Sequence, residues 1–142
     1  MAIRILTVCP EFFTGFWLKD TEIIDLRTFA GGSFRHVDES PYGGGAGMVL
    51  RIEPMMNALE SLRKENSFIV LTDPRGRRYS DKMRDALLQK EDLLLICGHF
   101  EGVDERIVKD VDLRVSMGDY IVSKGELAAL TILSSMGKIL LD

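Results

Sequence analysis

Two short runs, Phe68-Ile69-Val70-Leu71 and Leu93-Leu94-Leu95-Ile96, are apolar at every position. A strand with one wet face alternates apolar and polar residues, because successive side chains point to opposite sides. A run with no polar position must be covered on both faces, which is the mark of a parallel sheet. Ile3-Arg4-Ile5-Leu6-Thr7-Val8, stopped by Pro10, reads as a further buried strand, and Thr21–Leu26 and Leu113–Ser116 read as two more. Helical signals fall between them. Glu11–Phe16 suits a single turn. Ile52, Met55, Met56, Leu59 and Leu62 recur at helical spacing, and Pro54 is tolerable only in a first turn, so that helix starts within Arg51–Glu53. Ser80 is a good N-cap for a helix through Lys90. A short helix over Val103–Val111 and a final one over Glu126–Leu141 complete the pattern. Alternating elements with continuously apolar strands predict an α/β fold, a mainly parallel sheet with helices on both faces.

The 142 residues suffice for one such domain, with no repeat or linker to divide them. An apolar share of 46% is too high for a disordered chain. No apolar run approaches the roughly 20 residues of a membrane span, and no targeting segment precedes the first strand, so a cytoplasmic protein is expected. Cys9 and Cys97 sit in apolar runs and, with only two histidines, cannot assemble a standard zinc motif. They read as small buried hydrophobes in a reducing compartment. A net charge of −4 argues against an extended nucleic-acid surface, so any such contact needs a local basic patch.

Ligands of open α/β sheets bind beyond the C-terminal ends of the strands. Three loops leave strand ends and carry glycine: Thr72–Gly76, Cys97–Gly102 and Ser116–Gly125. Each alone reads as an ordinary turn. Side by side they could hold adenine, ribose and a small reactive group through backbone contacts, since glycine lets the backbone approach a ligand closely. The common nucleotide motifs are absent: Cys9-Pro10-Glu11 follows the first strand where a dinucleotide fold needs glycines, and no Walker-type loop occurs. Glu101, Asp104, Glu105 and Arg106 crowd beside the second of these loops. A carboxylate there could orient a ribose, hold Mg2+ or move a proton. Asp104 and Glu105 also suit the first turn of a helix, where acidic groups favour the dipole, whereas Glu101 fits that role less well.

Phe29–Met48 reads as a long loop holding Asp38 and the run Pro41-Tyr42-Gly43-Gly44-Gly45-Ala46-Gly47-Met48. Four glycines in five positions could form an anion-binding nest, with Tyr42 as a stacking face and Arg35 as a phosphate contact, or the segment is a plain surface loop. Arg75, Arg77 and Arg78 form a local basic cluster that is either a solvated face or a seat for a phosphate backbone.

That glycine run, Cys97-Gly98-His99-Phe100-Glu101-Gly102-Val103-Asp104-Glu105-Arg106, and Ser116-Met117-Gly118-Asp119-Tyr120-Ile121-Val122-Ser123 closely resemble motifs of the bacterial tRNA (guanine-N1)-methyltransferases, in that family's order and spacing. The opening Ile5–Phe13 resembles its first strand and turn. The resemblance implies a deep trefoil knot of the SPOUT class, a fold that no sequence pattern reveals. It implies transfer of a methyl group from S-adenosyl-L-methionine to N1 of the guanosine 3′ of the anticodon, in a homodimer whose site lies at the subunit interface. Its cofactor residues map to Leu71, Thr72, Pro74, Gly76, Gly98, Phe100, Glu101, Gly102, Ser116, Met117, Gly118, Asp119, Tyr120, Ile121, Val122 and Gly125. Its tRNA-recognising residues map to Asp38, Tyr42, Gly43, Gly44 and Gly45. The candidate catalytic residues are Glu101 and Lys138, the latter at the family's arginine position on the last helix.

The chain also departs from the family. A whole helix that the family carries between the equivalents of Phe16 and Trp17 is missing. Lys124 replaces the first of a glycine pair, putting a bulky charge where close backbone approach is expected, and Ala128 replaces a proline. Lys138 keeps the arginine's charge but not its planar fork. The family continues past the equivalent of Asp142 into a linker bearing an aspartate base and a helical domain that grips tRNA. The 142 residues are therefore expected to be a single cofactor-binding domain, a truncated form with little activity alone. The alternative is a non-catalytic dimerising or nucleotide-binding module that keeps the fold, which Lys124 and Lys138 favour.

Overall fold

The structure is a computed structural model that describes residues 1–30, 52–98, 105–118 and 124–140, and the backbone of 38–39 and 49–50. Among the described residues, nine strands and four α-helices follow the expected alternation. The strands are β1 (Ala2–Thr7), β2 (Trp17–Leu18), β3 (Thr21–Asp25), β4 (Asp38–Glu39), β5 (Val49–Leu50), β6 (Ser67–Arg78), β7 (Asp92–Ile96), β8 (Leu113–Ser116) and β9 (Ile139–Leu140). The helices are α1 (Ile52–Leu62), α2 (Asp81–Leu87), α3 (Glu105–Val108) and α4 (Gly125–Ser135).

The main sheet has the order β3-β1-β7-β6-β8, and every neighbouring pair is parallel. It explains the unbroken apolar runs, because alternate residues of each strand enter two separate cores. Ile3, Ile5, Val70, Leu93 and Leu95 pack with Leu87 of α2 and with Ala129, Ile132 and Leu133 of α4. Leu6, Ile69, Leu71, Leu94 and Ile96 face the other way, against Met55, Ala58 and Leu59 of α1 and Ile107 of α3. Each such residue is all but inaccessible to water, and cutting one back to alanine costs about 2–5 kcal/mol.

The connection from β1 to its parallel neighbour β3 runs over residues 8–20 and holds only a 3-10 turn, Pro10–Phe13, and the short β2. A parallel crossover needs about a dozen residues and usually carries a helix, so this one is near the minimum. It leaves Phe16 and Trp17 exposed, Trp17 at 71%.

Element ends differ from expectation in four places. The strand expected to stop at Leu71 continues as β6 through Arg78, but Thr72 and Arg77 both sit opposite Val115, so residues 73–76 are an excursion inside the strand. The Ser80 cap forms as expected, its hydroxyl accepting the Met83 N–H, yet α2 ends at Leu87, three residues early. The short helix is confined to Glu105–Val108 among the described residues. The last helix ends at Ser135 rather than Leu141. Gly137 takes φ of +71°, the left-handed geometry that closes a helix, and the chain then forms β9 against β2. Lys138 therefore lies beyond the helix, not on it.

The long loop also holds structure. β4 and β5 pair antiparallel, Asp38 opposite Leu50 and Glu39 opposite Val49. The two ends of the glycine-rich segment are thus held together. Residues 99–104 and 119–123, in the second and third glycine-bearing loops, lie outside the described residues.

Candidate active site

Three chain segments converge where the first stretch of β6 and the whole of β7 end. Thr72 is buried, and its hydroxyl donates to the Ile96 carbonyl at 3.3 Å and accepts the Gly98 N–H at 3.0 Å, tying the two strand ends together. The Gly98 carbonyl then accepts the Gly125 N–H at 3.0 Å, so the start of α4 is seated on the same point. The approach is so close that a Cβ on Gly125 would stand 2.3 Å from the Gly98 oxygen and 2.6 Å from Thr72 Oγ1. Only glycine fits there. Backbone groups from two strand ends and a helix start are gathered around the Thr72 hydroxyl.

Beside this point the excursion in β6 is locked from within. Asp73 is buried and accepts the Arg75 N–H at 2.9 Å and Arg114 Nε at 3.1 Å. Arg75 Nη1 reaches Glu105 at 2.7 Å. Burial pushes the Asp73 carboxyl up, but the Arg75 amide and the Arg114 and Arg75 guanidiniums outweigh it and hold the group below its ordinary value. Gly76 lies against the β8 backbone, where a Cβ would meet Arg114 C and Val115 N at 2.5 Å. At the end of β8, Ser116 is buried, its Oγ donates to the Gly118 carbonyl at 3.0 Å, and its own carbonyl accepts the Tyr79 N–H at 2.7 Å.

Of the expected cofactor residues, Thr72, Gly98 and Gly125 are brought into direct contact. Leu71 is buried in the core below them, Pro74 and Gly76 are on the excursion, and Ser116, Met117 and Gly118 end the neighbouring strand. Phe100, Glu101, Gly102, Asp119, Tyr120, Ile121 and Val122 lie outside the described residues, as do Tyr42, Gly43, Gly44 and Gly45; of Asp38 only the backbone is described.

Lys138 is not brought to this point. Its ammonium pairs with Asp20 at 3.1 Å, and its carbonyl accepts the Lys19 N–H. Asp20 itself bonds the Ile3 N–H, so Lys138 sits where β1 and β3 begin, at the opposite end of the sheet. Lys124 also differs from expectation. The close approach falls on Gly125, whereas Lys124 is exposed and its ammonium stands 5.9 Å over the Phe12 ring. Its bulk stays out of the contact.

One participant escaped the sequence reading. Glu126 is buried, and its carboxylate accepts the Thr7 hydroxyl at 2.7 Å, while Thr7 Oγ1 accepts the Cys9 N–H at 2.9 Å. Burial and the neighbouring Glu126 carboxylate push the Cys97 thiol well up, so it stays protonated and inert. This network fastens α4 to the ends of β1 and β7. The signal was available: Glu126 precedes Ala129 and Leu130 by three and four positions, which puts it on the helix face that enters the core. Among the described residues no cluster of three or more His, Cys, Asp or Glu could hold a metal, and no helix is long and apolar enough to cross a membrane.

Comparison with known proteins gives a consistent answer. The family model described as tRNA (Guanine-1)-methyltransferase matches residues 1–141. A tRNA (guanine-N(1)-)-methyltransferase of Malacoplasma penetrans is 41% identical over 148 residues, covering 96% of this chain and 66% of its own length. Its counterpart in Carboxydothermus hydrogenoformans is 41% identical over 98% of this chain and 60% of its own length. That of Desulforudis audaxviator is 42% identical over 96% and 61%. The chain thus spans about 60–66% of the length of these curated relatives. The aligned spans of 148–152 residues exceed the chain's 142, so the relatives carry internal residues that this chain lacks. The chain belongs to the tRNA (guanine-1)-methyltransferase family.

Proposed function

We propose that this chain is the cofactor-binding part of an S-adenosyl-L-methionine-dependent tRNA methyltransferase acting on N1 of the guanosine 3′ of the anticodon. The observation that carries the reading is the meeting of Thr72, Gly98 and Gly125 at the strand ends, where only glycine fits at Gly125. The Gly98 N–H and carbonyl and the Gly125 N–H bond within that meeting point, so it fixes the strand ends from which the glycine-bearing loops leave. Loops without a phosphate-binding motif suit an adenosyl group that brings no phosphate. When bound, the cofactor supplies a methyl group on a sulfonium, open to in-line attack by a ring nitrogen.

The chain's own residues then have these roles. The loops after β6, β7 and β8 hold the adenosyl group by backbone contacts, with Thr72 and Ser116 fixing the loop ends. Asp73, Arg75 and Arg114 keep the excursion over residues 73–76 in shape. Positioning is worth several kcal/mol in such a transfer, because both partners are held before the bond forms. Glu101 is the carboxylate assigned to the reacting end, and Asp38 with Tyr42–Gly45 present the guanosine. In this reading Lys138, at the far end of the protomer, serves the site of a second copy, and the chain forms a homodimer with the family's knotted connection.

The relatives are longer than this chain, so the 142 residues by themselves are expected to bind the cofactor and transfer methyl groups poorly. The test is transfer of a labelled methyl group to unmodified tRNA, beside a titration of the cofactor and its demethylated product. Binding of both, with trace transfer lost when that guanosine is replaced, is the expected result. Transfer indifferent to that guanosine contradicts the assigned substrate, and near-normal turnover contradicts the need for further residues.

A further inference from the structure

Away from the strand-end site, a cleft of about 350 Å³ opens between α2 and strands β6 and β8. Its floor is apolar, made by Phe68, Met83, Leu87 and Leu113. Its rim is basic: Arg77, Arg78, Lys82 and Lys90 face a single acid, Asp112. On a chain of net charge −4 this is a local reversal of sign.

The nearby acids do not neutralise the rim. Asp81 and Asp85 are both paired to Arg84, at 3.1 and 3.0 Å. Asp112 uses Oδ2 to accept the Ile69 N–H at 2.8 Å. Lys90 stands 4.3 Å over the Phe68 ring, which holds its ammonium at the cleft wall. Among the described residues, Arg77, Arg78 and Lys82 make no ion pair. Arg77, Arg78 and Lys82 are exposed, so their charges face solvent and are open to a polyanion.

We infer that this cleft binds the phosphodiester strand of the tRNA substrate, with phosphates on the rim and riboses over the floor. The inference rests on the proposed function for the identity of the RNA. Charge complementarity selects a polyanion. Continuity selects this one, because Arg77 and Arg78 follow directly on Pro74–Gly76, the first loop of the candidate site. A strand held here meets, through Arg77 and Arg78, the same stretch of β6 that carries that loop. The contact positions the substrate and reads no base, so it is independent of sequence.

Anisotropy of labelled unmodified tRNA tests it, with the parent chain and the double variant Arg78→Ala, Lys82→Ala, between about 50 mM and about 200 mM salt. The double variant is expected to bind about tenfold more weakly at the lower salt and to lose about two from the slope of log affinity against log salt. Arg78→Lys with Lys82→Arg keeps both charges and is expected to keep the slope. A titration of S-adenosyl-L-methionine on each variant reports whether the fold is intact, and separately whether the proposed function stands. An unchanged slope in a double variant that still binds the cofactor overturns the cleft and leaves the function. Absence of tRNA binding by the parent at low salt overturns it too. Polyglutamate competing as well as polyuridylate would assign the cleft to an acidic protein instead.

Discussion

Each end of the parallel sheet buries an aspartate against arginine, and the two ends use the pair differently. Where the strands begin, Asp92 meets Arg4 at 2.7 Å, and both side chains are closed off, at 4% and 9% exposure. Ser67 donates to the same carboxylate oxygen at 2.6 Å, and Arg4 also reaches the Leu62 carbonyl. Where the strands end, Asp73 is as deeply buried at 2%, but its partners Arg114 and Arg75 are 25% and 54% exposed. The first pair is a closed lock between β1, β6 and β7. The second anchors a loop from below while its arginines face water and Glu105. A buried acid thus serves the fold at one end and shapes a binding loop at the other.

The largest predicted effect breaks the closed lock. Asp92→Ala leaves Arg4 buried without its counter-charge and is expected to cost about 3–5 kcal/mol in urea unfolding. Asp73→Ala is expected to cost about 1–2 kcal/mol, because Arg114 and Arg75 can turn to solvent. Equal losses would erase the distinction between the two ends.

Acid sharpens the comparison. Burial raises the Asp92 carboxyl, but the Ser67 and Arg4 bonds prevail and hold it below its ordinary value of 3.8, as the arginines do for Asp73. Both groups bind a proton less readily in the fold than in the unfolded chain. Their stabilisation is whole above about 3.8 and is lost as pH falls through the lower folded value. Unfolding at about pH 3 and about pH 7 is expected to show a smaller acid loss in Asp92→Asn than in the parent. For Asp73→Asn the acid loss should stay closer to the parent's and depend more on salt, as its partners are solvated.

The smallest effect concerns Lys124. Its side chain points to Phe12 and away from the Gly98–Gly125 contact, so Lys124→Gly is expected to change cofactor affinity by less than about threefold, or under 1 kcal/mol. A tenfold gain would show that the lysine does crowd the site.

Much of the fold could be read from Phe68–Leu71 and Leu93–Ile96, because two-sided burial leaves no polar position in a strand. The Ser80 cap was equally legible, since one hydroxyl and one N–H decide it locally. Element ends were harder. The strand β6 resumes after residues 73–76 because Arg77 and Arg78 find partners on β8, a long-range contact with no local signature. The last helix ends at Ser135 and Gly137 turns the chain, but a lone glycine between Met136 and Lys138 does not announce a left-handed turn. At the site, glycines marked where the backbone would approach a ligand, and Gly125 makes a close approach to Gly98 within the chain itself. They could not say that Lys124 would face outward, nor that Glu126 would tie the helix to Thr7, because both depend on how α4 docks.

The central claim is that the strand ends bearing Thr72, Gly98 and Gly125 form the cofactor site. Titration calorimetry of S-adenosyl-L-methionine on the parent, Gly125→Ala and Asp92→Asn chains tests it most directly. One saturable site per chain is expected, kept in Asp92→Asn and weakened at least tenfold in Gly125→Ala, whose new methyl must push Gly98 away. No binding by the parent, or equal binding by a folded Gly125→Ala chain, would contradict the account.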